Sequence, residues 1–169
     1  MADLVSPGLP FLAVGLLLGA ALHDAAARTI PNWIPVSLAI IGLILRVQDA
    51  SAAEGIGTAA VLLIILGALW LRGLIGGGDM KLIPAVALVL PPSGVPALVL
   101  SVSIAGGGLA LLYLALSVVV RRPRPGPRRG LLARVVKAEA WRMHRRGSLP
   151  YAVAIAGGAL PNIVKTFSG

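Results

Sequence analysis

"LIGGGDMKLIP", residues 74–84, sets an aspartate and a lysine behind three glycines. The apolar run "VLLIILGALWLRG" (61–73) comes before it and "PAVALVL" (84–90) after it. Asp79 and Lys81 therefore interrupt a strongly apolar stretch. Ionisable groups within or beside membrane segments are costly and usually mark function, so the first question is whether the flanking runs cross a membrane.

Composition answers it. Of 169 residues, 57% are hydrophobic and 12% charged, whereas soluble domains carry about 25% charged residues. The mean hydropathy is +0.93. The chain reads as an all-α integral membrane protein. It has no cysteine, which excludes disulfides, thiolate metal sites and a cysteine nucleophile. His23 and His144 form no metal-ligand spacing, so neither a metal nor a cofactor is expected. The start, "MADLVSPGLP", has no basic segment before its apolar run, which argues against a cleaved signal.

Apolar runs predict six transmembrane helices, near 8–26, 31–47, 56–72, 80–91, 95–120 and 149–166, in a single domain over 1–169. A span needs roughly 20 residues, so the fourth, with Pro84 inside it, is short. Lys and Arg favour cytoplasmic loops. With the N-terminus outside, those loops hold Arg28, then Arg72 and Lys81, then the basic run from Arg121 to Arg146. Only Arg46 and Lys165 fall on the other face, so the orientation is N-out, C-out. In the basic loop 121–148, "RRPRPGPRRG" is an irregular linker. "LLARVVKAEAWRMHRR" then places Leu132, Val135, Val136, Ala140 and Met143 at helical spacing opposite Arg and Lys. That pattern suits a short amphipathic helix on anionic headgroups; the charges also serve simply to fix topology. No nucleic-acid motif is present, and nucleic acid is not expected as a partner. Gly15 and Gly19, a G-x-x-x-G pair, suggest close helix packing.

This topology brings Asp24, in "LHDAAARTIPNW" (22–33), and Asp79 to one membrane face. Taken alone, Asp79 reads equally well as a helix N-cap and Asp24 as an interfacial residue. Together they have a chemistry. Neighbouring carboxylates do not both ionise readily. The charged one can take a proton from water while the protonated one hydrogen-bonds a peptide carbonyl. Gly76, Gly77 and Gly78 would let an extended substrate strand approach. Asp79, at a helix start, should be the more readily ionised member, and Asp24, at a helix end, the proton holder.

"GGGDMK" (76–81) resembles the G-x-G-D-x-K signature of type IV prepilin peptidases, within the GxGD intramembrane aspartyl proteases. "DAAARTIPN" (24–32) resembles the partner motif, with Asp24, Arg28, Ile30, Pro31 and Asn32 in place. "GSLPYAVAIAGGAL" (147–160), with Pro150 and Tyr151, is similar to the opening of the last helix in the short Tad/Flp branch. The resemblance covers nearly the whole chain. It implies an aspartic endopeptidase of the bacterial cytoplasmic membrane that removes the basic leader of Tad/Flp prepilins and pseudopilins, with pilus assembly machinery as a further partner. Asp24 and Asp79 would be catalytic. Gly76, Gly78, Lys81, Arg28, Pro31, Asn32, Pro150 and Tyr151 would support them. Larger members also N-methylate the product through an insertion with paired Cys-x-x-C motifs, which has no counterpart here. The alternative function is a small transporter or channel subunit using the two aspartates as a proton or cation site. A noncatalytic pilus-assembly subunit is a third.

Overall fold

Glycine, proline and short polar breaks divide the apolar sequence into helices, and the computed structural model describes residues 8–119 and 149–168. The described residues form α1 (Gly8–Ala27), α2 (Trp33–Gln48), α3 (Ala52–Leu71), α4 (Gly77–Val89), a 3-10 turn (Pro92–Gly94), α5 (Val95–Val119) and α6 (Tyr151–Ser168). No strand occurs among them. The amphipathic helix expected within 121–148 lies outside the described residues.

The chain divides into two compact units, residues 1–106 with 150–169, and residues 107–149. The described part of the second unit is essentially the C-terminal half of α5. Every side chain considered below as part of a site belongs to the first.

α4 is the centre of the first unit. Leu82, Pro84, Ala85, Val86, Ala87 and Val89 are all buried, because α2, α3 and α6 pack around it. At about 1.5 Å per residue, its 13 residues rise roughly 20 Å, less than a bilayer core of about 30 Å. Pro84 has no N–H for the carbonyl of Met80, so one helical bond is missing from its middle. α1 behaves differently. Its buried residues Pro10, Ala13, Leu17, Ala20 and Asp24 recur every three or four positions, with Ala21 beside Ala20, which defines one face. Asp24 thus continues an apolar stripe into the interior.

Two helix crossings depend on having no side chain. A Cβ at Gly42 on α2 would lie 2.6 Å from Leu88 of α4, and one at Gly158 on α6 would lie 2.5 Å from the backbone of Val102 on α5. Beside the second crossing, Ser101 Oγ donates to the Gly158 carbonyl at 2.8 Å and Asn162 Nδ2 donates to Ser101 Oγ at 2.9 Å. The G-x-x-x-G pair does not work this way. A Cβ at Gly15 or Gly19 would meet nothing within 4 Å among the described residues.

α1, α3 and the segment Pro92–Ser117 are long and apolar enough to cross a membrane, and α2 is a shorter apolar helix. Val61, Leu63, Ile64 and Ile65 of α3 are exposed. Such a surface suits lipid far better than water.

Arg46 sits at the end of α2, where the sequence places it. It is only 1% exposed. Its guanidinium pairs with Asp49 at 2.7 Å and reaches Ser51 Oγ and the Val89 carbonyl, each at 3.4 Å. Val89 belongs to the last turn of α4, whose carbonyls lack helical donors, so Arg46 ties α2 to the C-terminus of α4.

Candidate active site

Asp24 lies in the last turn of α1 and is 6% exposed. The helix stops four residues on, where Arg28 takes a left-handed backbone conformation (φ 58°) and its N–H bonds to the Asp24 carbonyl at 2.8 Å. That conformation costs a non-glycine residue roughly 1–2 kcal/mol. His23 Nδ1 bonds to the Thr29 carbonyl at 2.7 Å and braces the turn. Arg28 also interacts electrostatically with the Asp24 carboxylate.

A distant segment completes the environment of Asp24. The backbone N–H of Ala152 donates to Asp24 Oδ2 at 3.0 Å. Ala152 is in the first turn of α6, where N–H groups lack helical acceptors and the helix dipole favours an anion. The expectation that Asp24 holds the proton rests on the end of α1 and the start of α4, with Arg28 as the counterweight. With the start of α6 facing the same carboxylate, helix-end effects no longer separate Asp24 from Asp79.

Asp79 is the third residue of α4, whose N-cap is Gly76. Its carboxylate reaches back to the Gly76 N–H, which is one half of a capping box. Asp79 is therefore a capping residue but not the N-cap itself. The Gly76 carbonyl accepts the N–H of Met80 at 3.1 Å, which locks the same turn.

The glycines serve the protein's own packing. A Cβ at Gly76 would lie 2.8 Å from Asp79 Oδ2, one at Gly77 would lie 3.1 Å from Trp70 Nε1, and one at Gly78 would lie 2.9 Å from Ile30 Cδ1. At Gly77 and Gly78 the position a Cβ would take faces Trp70 and Ile30. The Ile30 contact holds the α1–α2 turn against the first turn of α4. Lys81 Nζ makes a second link, donating to Asn32 Oδ1 at 3.1 Å.

These links bring the two motifs together. Asp24 and Asp79 lie within electrostatic reach of one another, and the Tyr151 phenol lies within reach of Asp79. Pro150 is buried just before α6. Nothing in the sequence singles out Ala152 or Gly106, and Trp70 reads there only as an interfacial tryptophan near the cytoplasmic face. Ala152 contributes only a backbone N–H, and the other two matter through contacts between distant segments. Among the described residues, no three His, Asp or Glu side chains gather as metal ligands would.

The model of the type IV leader peptidase family matches residues 11–111. The chain belongs to this family. The match contains both aspartates, the α1–α2 turn and the glycine turn, and ends within α5. No curated protein and no solved structure matches the chain. As a type IV leader peptidase family member built from long apolar helices, it is a multi-pass membrane protein of a peptidase family.

Proposed function

We propose that this leader peptidase is an aspartic endopeptidase that cleaves the basic leader of Tad/Flp-type prepilins and pseudopilins at the cytoplasmic face of the bacterial inner membrane, with Asp24 and Asp79 as its dyad. The observation that carries the reading is the family match over residues 11–111, which contains both carboxylates, remote in sequence, on different helices and on segments linked by the Lys81–Asn32 bond and the Ile30–Gly78 contact. In the proposed reaction one aspartate is ionised and takes a proton from water. The water oxygen bonds to the scissile carbonyl carbon while the protonated aspartate hydrogen-bonds the carbonyl oxygen. Collapse of the tetrahedral intermediate breaks the C–N bond, and the leaving amine takes up the proton.

Six spans with both termini outside place Asp24, Asp79 and the basic run from Arg121 to Arg146 on one face. Anionic lipid would attract that run. The lack of cysteine argues against the methyl-transfer chemistry of larger relatives. Family membership favours a peptidase over a transporter. The test is to incubate the purified protein in detergent with a candidate pilin precursor and follow its mass. Loss of the leader supports the reading. An intact precursor, together with a proton or cation flux in sealed vesicles, would replace it.

A further inference from the structure

We propose that Tyr151 is a further catalytic residue of this enzyme, its phenol O–H donating a hydrogen bond to the peptide carbonyl oxygen as that oxygen becomes negative. The proposal rests on the dyad reading above.

Three observations converge on this side chain. First, Tyr151 opens α6 and immediately precedes Ala152, whose N–H holds Asp24 Oδ2 at 3.0 Å. The segment that carries the phenol is thereby tied to one aspartate. Second, the ring is seated where α5 has no side chain. A Cβ at Gly106 would collide with the Tyr151 hydroxyl and lie 2.7 Å from Cζ and Cε2. Gly106 is buried, so the hydroxyl end of the ring is confined by backbone. Third, the phenol lies within electrostatic reach of Asp79. It is half-buried and makes no hydrogen bond to another described residue. The structure thus places a neutral donor, with no described acceptor of its own, next to the residue whose N–H holds Asp24 and within electrostatic reach of Asp79.

Aspartic chemistry has a use for such a group. The dyad supplies a base for water and one proton for the carbonyl, and the developing oxyanion has room for a further donor. Donors fixed in advance where charge develops stabilise the transition state more than the ground state. Loss of one such donor costs about 10²–10³-fold in kcat. A residue that only packs α6 against α5 would behave differently, because phenylalanine would fill the same seat.

The experiment measures kcat and KM of the full-length protein in detergent. Its probe is a synthetic peptide with a basic leader followed by an apolar segment. Tyr151→Phe should lower kcat by about 10²–10³-fold with KM within about twofold. Gly106→Ala, which drives the hydroxyl from its seat, should also lower kcat. Wild-type kcat in Tyr151→Phe, or a change confined to KM, overturns the proposal. Should Tyr151→Phe fail to fold, fluorotyrosine provides the second measurement. The chain has two tyrosines, so fluorotyrosine in a Tyr113→Phe background labels Tyr151 alone. A kcat that changes with phenol acidity supports the role, and one that does not overturns it. Asp24→Asn and Asp79→Asn run in parallel. If either still cleaves, the dyad reading fails; if both are inactive and Tyr151→Phe is fully active, only the present proposal fails.

Discussion

Lys81 Nζ on α4 donates to Asn32 Oδ1 in the α1–α2 turn at 3.1 Å. This bond joins the segment carrying Asp79 to the one that follows Asp24. It is solvent-exposed, so each partner should contribute about 0.5–1.5 kcal/mol at most. The expected effect is therefore on geometry. Lys81→Met and Asn32→Ala should each slow cleavage several-fold, and the double variant should be no slower than the worse single one. Additive losses in a double-mutant cycle would show that the residues act separately.

The packing of Ile30 against Gly78 makes a second, apolar link between the same segments. Gly78→Ala places a methyl group 2.9 Å from Ile30 Cδ1 and 3.1 Å from its Cβ. Overpacking of this kind typically costs about 1–3 kcal/mol. Thermal unfolding should show that loss, and Ile30→Ala should restore part of it in the Gly78→Ala background. No rescue would mean that the glycine is needed for backbone reasons instead.

The helices were legible in the sequence because apolar runs end at recognisable signals: "TIPN" after α1, "GGG" before α4 and "PPSG" after it. The pairing of Asp24 with Asp79 followed from orientation, since alternate loops share a face. What the glycines touch was not legible. Gly77 against Trp70 and Gly106 against Tyr151 are contacts between separate helices, and spacing along one helix carries no trace of them. Gly15 and Gly19 meet no partner among the described residues, and a spacing suited to close packing does not reveal where a partner comes. The Asp24 acceptor bond was hidden because its donor is a backbone N–H, which alanine does not advertise. Arg46 is placed at a helix end by its position, which says nothing of its burial. Its long side chain folds back to the end of α4.

Removing that side chain should therefore affect stability. Arg46→Ala leaves the Val89 carbonyl without this donor and separates Asp49 from its partner. A loss of about 1–3 kcal/mol is expected, measured by thermal unfolding in detergent. Asp49→Asn should cost less, because Asp49 is about half exposed and surface pairs contribute about 1 kcal/mol or less. Equal losses would show that the ion pair, and not the contact with α4, matters.

The pH dependence of cleavage follows from a dyad that works with one proton. At low pH both carboxylates are neutral and no base remains. At high pH both are charged and no donor remains. The kcat profile should be bell-shaped, with both limbs belonging to the coupled pair. A rate that rises steadily into the alkaline range would be incompatible with this chemistry.

The central claim is that Asp24 and Asp79 cleave the peptide bond together. The most direct measurement is leader release from a prepilin by purified Asp24→Asn and Asp79→Asn proteins, each first shown to insert and unfold like the parent. Asparagine preserves shape while removing the ionisable proton. The account predicts that release falls by at least about 10²–10⁴-fold in each variant. Processing at the parent rate by either one would contradict it.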